Sequence, residues 1–225
     1  MIVPVYNEKQ TIGKIVEKIE KIDLGIEKEI IIVDDGSTDG TREILKGMTQ
    51  NNVKTVYHDK NRGKGAALRA GFREAKGEIL LTQDADLEYD PAEYPSLLAP
   101  ILQGVADVVF GSRLSGGKPQ RVYLFWHKIG NNFLTFVTNF LYNTTLTDME
   151  TGYKVFRREV LQGMTLRSND FCIEPEMTAK VFKRKWRVYE IPISYYGRTY
   201  AEGKKIHWWD GIRAFWTLIK YRVID

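Results

Sequence analysis

The sequence predicts an α/β fold in which helices cover both faces of a mostly parallel β-sheet. Over the first 112 residues, strand-like and helical patterns alternate at short intervals, which is typical of β-α-β units. The strand-like runs are nearly continuous in Val and Ile, as expected for strands that are buried on both faces. Polar and acidic residues follow several of these runs, at the edge of the sheet where parallel α/β folds bind ligands.

The first half supplies five of the predicted strands, at residues 2–6, 29–35, 53–58, 78–84 and 106–112. Two helical patterns lie between them, because apolar residues recur there at helical spacing. The first helix is marked by Ile12, Ile15, Val16 and Ile19, and the second by Ala66, Ala67, Ala70 and residues 72–75.

The second half is less regular. An apolar stripe at helical spacing runs through residues 120–142, residues 173–185 suggest a further helix, and residues 187–195 suggest a strand. Residues 206–224 place five apolar side chains on one helical face: Trp209, Ile212, Trp216, Ile219 and Val223. We therefore predict an α/β domain at 1–200 and an amphipathic helical appendage at 201–225. The appendage either lies at a membrane interface or packs on the core.

Composition excludes several classes of protein. Of the 225 residues, 43% are hydrophobic and 28% charged, which excludes disordered and collagen-like chains. The lone Cys172 excludes an internal disulfide. Residues 1–112 carry 14 Lys and Arg against 19 Asp and Glu, whereas residues 113–225 carry 19 against 10. An acidic half suits a cation site and a basic half suits anionic partners.

The ends of the sequence resemble those of a trimmed chain. It opens on what looks like a shortened strand, and it contains no run of 18 or more apolar residues. Any membrane-spanning segment is therefore expected beyond Asp225.

Carboxylates gather where two of the predicted strands end. Asp34, Asp35 and Asp39 close the second strand, and Asp84 and Asp86 close the fourth. Side chains two apart on a strand point the same way, so the last two need a counter-cation if both are to ionise. Oxygen ligands select Mg²⁺ or Mn²⁺. A capped turn is the alternative for any single Asp-x-Asp, but acids at two strand ends of one sheet favour a metal–phosphate site.

Other phosphate-binding classes do not fit. The chain has neither a G-x-G-x-x-G after its first strand nor a G-x-x-x-x-G-K-[ST], which disfavours dehydrogenases and P-loop nucleotidases. The stretch "NRGKG" (61–65) leaves two interpretations open: a backbone that approaches phosphate at a helix N-terminus, or a tight turn.

Five ordered motifs carry a resemblance to a known family: "IVPVYNE", "VDDGSTDGT", "NRGKGAALRAGF", "DADLEYDP" and "GSR". Together they resemble the family 2 inverting glycosyltransferases with the GT-A fold. The nearest subgroup is the polyprenyl-phosphate hexosyltransferases, which include dolichol-phosphate mannose synthases and glucosyltransferases. The segment "DMETGYKVF" (148–156) departs from the "DPxSGFF" of the mannose synthases, so GDP-mannose and UDP-glucose both remain possible donors.

The resemblance implies roles for individual positions. The base and ribose pocket corresponds to Pro4, Tyr6, Glu8, Val33 and Asp35. The metal–diphosphate motif corresponds to Asp84, Ala85 and Asp86, with Glu88 as an optional third metal ligand beside Asp84 and Asp86. Basic residues that hold phosphates correspond to Arg113, Arg198 and Lys204, which with Asp86 form the implied catalytic set.

The implied reaction is the inverting transfer of a hexose from a nucleotide-diphosphate sugar to a polyprenyl (dolichyl) phosphate. It would occur at a membrane surface, on the cytoplasmic face of the cell membrane, and would give a β-linked lipid-phosphate sugar. A second hypothesis keeps the fold but uses a saccharide or protein hydroxyl acceptor, with Glu174 or Glu176 as the general base. A third is a non-catalytic sugar-nucleotide or membrane-surface binding module. Nucleic acid is a poor fit, because the strand ends are acidic.

Overall fold

The computed structural model describes residues 1–122, 124–199 and 208–224. Lys204 and much of the segment that joins the two predicted domains lie outside the described residues. The division at residue 200 therefore stays a prediction.

Within the described residues, seven strands form a three-stranded and a four-stranded sheet that an isolated bridge joins. Their bounds are β1 Ile2–Val5, β2 Ile30–Asp34, β3 Val53–Tyr57, β4 Ile79–Leu81, β5 Val108–Ser112, β6 Lys154–Arg157 and β7 Val188–Pro192. The hydrogen-bonded orders β1-β2-β3 and β4-β6-β5-β7 meet where Ile2 pairs with Thr82. Only β6 is antiparallel to its neighbours among the described strands. The predicted mostly parallel α/β fold is confirmed.

Eight helices accompany these strands within the described ranges. They are α1 Ile12–Lys21, α2 Thr41–Lys46, α3 Lys64–Glu74, α4 Tyr94–Leu102, α5 Phe125–Tyr142, α6 Arg158–Gln162, α7 Ile173–Lys183 and α8 Trp208–Val223. A single 3₁₀ turn, Pro91–Glu93, precedes α4, and Asp90 caps it by accepting a hydrogen bond from the Ala92 N–H. The cap and the proline behind it start this helical stretch.

The core lies on both faces of the sheet. The four apolar residues that mark α1 are all buried against one face, beside Val3, Val5 and Ile32. The opposite face packs Ile2, Ile31 and Val33 against α3 and α7. Two-sided burial explains why the strands are continuous in Val and Ile.

A long excursion separates β5 from β6. Residues 113–153 leave the sheet, form α5, and return so that the Gly111 N–H donates to the Tyr153 carbonyl. Helix α8 packs on α5 through Ala214 and Leu218, and the Tyr142 hydroxyl donates to the Leu218 carbonyl. Helix α8 also packs on α7, where Lys180 lies over the Tyr221 ring, and its buried side chains are Ala214, Leu218 and Tyr221.

The predicted extent of the fourth strand, residues 78–84, is wrong. Strand β4 ends at Leu81, three residues before Asp84, and the acidic stretch continues as a turn in which Leu87 has φ of +64°. Because Asp84 and Asp86 lie beyond the strand, strand alternation does not set the directions of their side chains.

Candidate active site

A cavity of about 1520 Å³ opens at the carboxyl ends of the parallel strands. Most of the predicted site residues line it: Pro4, Tyr6, Glu8, Asp35, Asp84, Ala85, Asp86, Glu88, Arg113 and Arg198. Val33 is the exception within the described residues, because its side chain is fully buried in the core near Gly71 of α3. The sheet edge thus brings together residues that are nearly 200 positions apart.

Asp35 holds the "NRGKG" loop in place. Its carboxylate accepts the N–H groups of Arg62 and Gly63, at 3.0 and 2.7 Å from the nearer oxygen, and lies 2.7 Å from Nδ1 of His58. Gly63 has φ of +95°, and a Cβ there would clash with the Asn169 carbonyl. These contacts favour the tight-turn interpretation for the glycines.

Lys64, the first residue of α3, takes part in a buried charge network that the sequence did not reveal. Its Nζ lies 2.8 Å from Asp84 Oδ1 and 3.1 Å from Glu174 Oε1. Lys154, which is fully buried, donates to the other Glu174 oxygen at 2.7 Å. Burial opposes ionisation of Glu174, yet the two lysines lower its pKa below the ordinary value. Glu174 is therefore an ionised partner of two cations.

Asp86 lies where three carboxylates crowd one another. Burial, with the charges of Asp84 and Glu88, raises the pKa of Asp86 to about 7 against the opposing effect of Arg198. Oxygen chemistry and excess negative charge are what Mg²⁺ or Mn²⁺ requires, so these residues fit the predicted metal. In the described part of the chain they do not converge as a ready-made cluster of three ligands.

Arg198 occupies the space among the acids. Its guanidinium contacts Glu8 and Asp86 at 3.1 Å each, and its backbone N–H donates to Glu88 at 2.7 Å. Glu88 also accepts the Tyr195 hydroxyl at 2.8 Å. Arg198 thus supplies the positive charge that three carboxylates share.

Arg113 is held by a bidentate ion pair. Its Nε and Nη2 lie 2.6 and 2.7 Å from the two oxygens of the fully buried Asp148, and its guanidinium stacks over the Tyr195 ring. Although burial raises it, the pKa of Asp148 is lowered by Arg113. Arg113 borders the cavity as predicted, with its charge balanced by Asp148.

Two acceptor oxygens on the cavity wall lack donors. Among the described residues, no hydrogen-bond partner reaches Oε1 of Glu150 or Oδ1 of Asn131. Burial raises the pKa of Glu150 to about 7; Lys154 and Arg113 lower it, while Glu174 and Asp148 raise it further. Neither residue could be singled out from the sequence, because Glu and Asn are both common on protein surfaces.

The far wall of the cavity is apolar. It is formed by aromatic and aliphatic side chains of α5 and α8, including Phe133 and Phe215, whose rings stack at 6.1 Å. Further large apolar side chains of these helices are exposed: Trp126, Phe136, Phe140, Trp209 and Trp216. The described helices include none with the length and hydropathy of a membrane span.

The chain is similar to several known proteins. A family model described as "Glycosyl transferase family 2" matches residues 1–164. The chain is 30% identical over 209 residues to a dolichol-phosphate mannosyltransferase of Pyrococcus furiosus, covering 91% of this chain but 58% of that protein. It is 28% identical over 244 residues to a UDP-N-acetylglucosamine–dolichyl-phosphate N-acetylglucosaminyltransferase of Methanococcus voltae, covering 99% and 95%.

A third relative is an undecaprenyl-phosphate 4-deoxy-4-formamido-L-arabinose transferase of Proteus mirabilis, 29% identical over 91% of this chain and 61% of that protein. Among solved structures, a glucosyl-3-phosphoglycerate synthase of Mycobacterium tuberculosis in complex with Mn²⁺, UDP-glucose and phosphoglyceric acid superposes with a TM-score of 0.75. The two chains are 21% identical, and the match covers 99% of this chain and 79% of that one. At that identity the likeness shows the fold alone.

Proposed function

The chain belongs to glycosyl transferase family 2, and from that premise we propose that it transfers a hexose from a nucleoside-diphosphate sugar to a polyprenyl phosphate. Inversion at the anomeric carbon would give a β-linked lipid-phosphate sugar. GDP-mannose and UDP-glucose are the donors to be tested first.

One observation carries the proposal: a single cavity joins a charged floor to an apolar wall. The floor holds Asp84, Asp86, Arg113 and Arg198, and the wall is built from α5 and α8. An acceptor with an anionic head and an isoprenoid tail matches both surfaces at once. A sugar acceptor or a soluble phosphate matches only the floor.

The names of the relatives support the acceptor more than the sugar. Three curated relatives are named for transfer to dolichyl or undecaprenyl phosphate, yet each is named for a different sugar. Since this chain spans just over half of the Pyrococcus protein, its substrates stay proposals.

The acceptor supplies its own nucleophile. A phosphate monoester has its second pKa near about 6 and is mostly dianionic at neutral pH. Its oxygen can therefore attack the anomeric carbon without a general base. Arg198 lies 3.1 Å from both Glu8 and Asp86. The acceptor phosphate would replace one of these carboxylates as a partner of the Arg198 guanidinium. Lys204, which lies outside the described residues, is proposed as its partner.

Asp84 and Asp86, with Glu88 as an optional third ligand, would hold Mg²⁺ or Mn²⁺. The ion would supply positive charge to the departing diphosphate. Lys64, which already contacts Asp84 at 2.8 Å, places a second cation beside the same phosphates. The chain thereby neutralises two anions, the leaving diphosphate and the attacking phosphate, within one cavity.

We place the exposed faces of α5 and α8 at a membrane surface. Trp126 is 79% exposed and Trp216 is 62% exposed, and such aromatic side chains suit the interface between headgroups and acyl chains. Lys220 and Arg222 on α8 add charges that attract anionic lipids. The cytoplasmic face of the cell membrane is the proposed location, because nucleotide sugars are the donors.

The hydroxyl-acceptor alternative loses both of its predicted bases. Glu174 is ionised and paired with Lys64 and Lys154. Glu176 is fully buried, pairs with Lys180 at 3.0 Å, and accepts the Ser168 N–H at 2.7 Å. A carboxylate that already serves two cations or a backbone turn is poorly placed to take a substrate proton.

A transfer assay tests the proposal. Vesicles containing a polyprenyl phosphate are incubated with radiolabelled GDP-mannose or UDP-glucose, with and without Mg²⁺ or Mn²⁺, and label is counted in the organic phase. We expect one donor to label the lipid in a metal-dependent manner. Asp86→Ala should abolish transfer while the circular dichroism spectrum stays unchanged.

Asp90→Ala is the matched control, since Asp90 belongs to the same acidic stretch but caps the 3₁₀ turn. It should lose about 1 kcal/mol of stability and keep its transfer activity. Full activity in Asp86→Ala, or no lipid label from either donor with the wild type, would contradict the proposal. Binding of donor without any turnover would instead support a non-catalytic module.

A further inference from the structure

The segment 148–152 contains one side chain with an unmet hydrogen-bonding need. Asp148 is paired with Arg113, the Met149 N–H donates to Thr135, and the Gly152 N–H donates to Tyr89. In the described structure, Glu150 Oε1 is buried and has no hydrogen-bond partner. Burying such an acceptor without a donor is costly, so a ligand is the natural source of its donor.

Asn131, on the facing helix α5, presents a second acceptor to the same cavity. Its Nδ2 donates to Asp148 Oδ1 at 2.9 Å, which fixes the amide so that Oδ1 points away from that carboxylate. Among the described residues, Oδ1 also lacks a partner. Both oxygens belong to residues that line the cavity, and both residues interact with members of the Arg113–Asp148 ion pair.

The neighbouring cations are already engaged. Arg113 makes a bidentate pair with Asp148. Lys154 donates to Glu174 and to the carbonyls of Met149 and Thr151. Either cation would have to give up one of these hydrogen bonds before it could donate to Glu150.

The short stretch of chain between Glu150 and Gly152 limits how far Glu150 can lie from the diphosphate site. Gly152 lies directly against Asp84, where an added Cβ would clash with the carboxylate. Glu150 is two residues away, and two residues span at most about 7 Å. A hexose attached to a diphosphate at Asp84 and Asp86 would therefore lie within reach of Glu150.

The ligand must bring hydrogen-bond donors. Phosphates at neutral pH offer acceptors, as do the carboxylates around them, whereas hexose hydroxyls both donate and accept. We propose that Glu150 and Asn131 form the subsite that binds hydroxyl groups of the donor hexose and so select among sugars. This inference rests on the proposed function, because it assumes a nucleotide sugar in the cavity.

Selection at such a subsite depends on where each hydroxyl points. A site built to bind a hydroxyl group rejects analogues that lack it, because its own polar atoms are left unpaired. Epimers that turn one hydroxyl away from Glu150 should bind less tightly for the same reason. The curated relatives differ in the sugar they are named for, so a sugar-selecting position is a feature on which members could differ.

Calorimetry with sugar-free and sugar-bearing ligands tests the inference. Free UDP and GDP should bind wild type and Glu150→Gln equally, whereas the preferred nucleotide sugar should bind the variant roughly tenfold to hundredfold more weakly. Glu159→Gln is the matched control, since Glu159 is exposed on α6 and lies 3.9 Å from Arg157 in a surface ion pair. It should match wild type with every ligand.

Deoxy analogues of the preferred donor sharpen the test. Removing the hydroxyl that Glu150 binds should weaken binding to the wild type and have little effect in Glu150→Gln, a coupling that independent sites do not show. Equal losses for UDP and UDP-sugar, no loss at all, or lost transfer with unchanged donor binding would each overturn the inference. Wild type that binds nucleotide sugar but never labels lipid would refute the proposed function and leave the hydroxyl subsite supported or refuted by binding alone.

Discussion

Glu150→Gln should change how the stability of the protein depends on pH. Burial raises the pKa of the Glu150 carboxyl from 4.5 to about 7 in the folded protein. In the unfolded chain the group ionises at its ordinary value. Between these two values the folded state binds more protons than the unfolded state, so stability falls as pH rises. Gln keeps the shape of the side chain and cannot ionise.

The size of the effect follows from the two pKa values. A gap of about 2.5 units corresponds to about 3.4 kcal/mol at most. Between about pH 5 and about pH 8, where most of the titration falls, linkage gives a loss of about 2.5 kcal/mol that only the wild type should show. Burial is the largest cause of the raised pKa, and the nearby charges that modify it, Lys154, Glu174, Arg113 and Asp148, all remain in the variant.

Urea denaturation at several pH values measures this difference. The free energy of unfolding of Glu150→Gln minus that of wild type should rise steadily across the range and level off above about pH 8. Asp86 also titrates near pH 7, but it contributes equally to both proteins and cancels in the difference. A difference that stays constant with pH would show that Glu150 ionises normally in the folded protein and would refute the reasoning.

Three further predictions concern other parts of the structure. Asp148→Ala leaves the Arg113 guanidinium buried without its partner and should lower the free energy of unfolding by about 3–5 kcal/mol, measured in urea. Gly63→Ala, at φ of +95° and against a backbone carbonyl, should cost at least about 1–3 kcal/mol in the same assay. Replacing Trp126 and Trp216 together by Ser should weaken co-sedimentation with anionic vesicles, because both rings are exposed on the proposed membrane face.

Each of these has a matched control. Asp59 is an exposed acid, so Asp59→Ala should stay within about 0.5 kcal/mol of wild type. Gly13 lies in α1 with open space around it, so Gly13→Ala should stabilise by roughly 0.5–1 kcal/mol. Leu102 is 55% exposed on α4, and Leu102→Ser should leave vesicle binding unchanged. Equal effects in variant and control would contradict the corresponding prediction.

The parallel strands could be read from the sequence because each depends on a local run of apolar residues. Strand β6, Lys154–Arg157, could not. Four residues are too few to show a period, and the antiparallel position of β6 between β4 and β5 depends on contacts with distant strands.

The candidate active site also contains residues that could be predicted from the sequence and residues that could not. Its strand-end residues were predictable, because parallel strands bring their carboxyl ends to one edge of the sheet. The partners of those residues were not. Lys64 meets Glu174 across 110 positions, and Arg198 meets Glu8 across 190. Such pairings depend on tertiary packing that no sequence period records.

The excursion between β5 and β6 has a consequence for how the protein can vary. Both ends of residues 113–153 attach to adjacent strands, and the ion pair between Arg113 and Asp148 joins the outgoing and returning chain. The ion pair therefore closes the excursion at its base, and Thr147 within it also donates to Glu190 of β7. Residues 114–147 form an insertion between these two adjacent strands. Exchanged between chains that keep Arg113 and Asp148, it should carry with it both its acceptor-facing surface and Asn131 of the proposed sugar subsite.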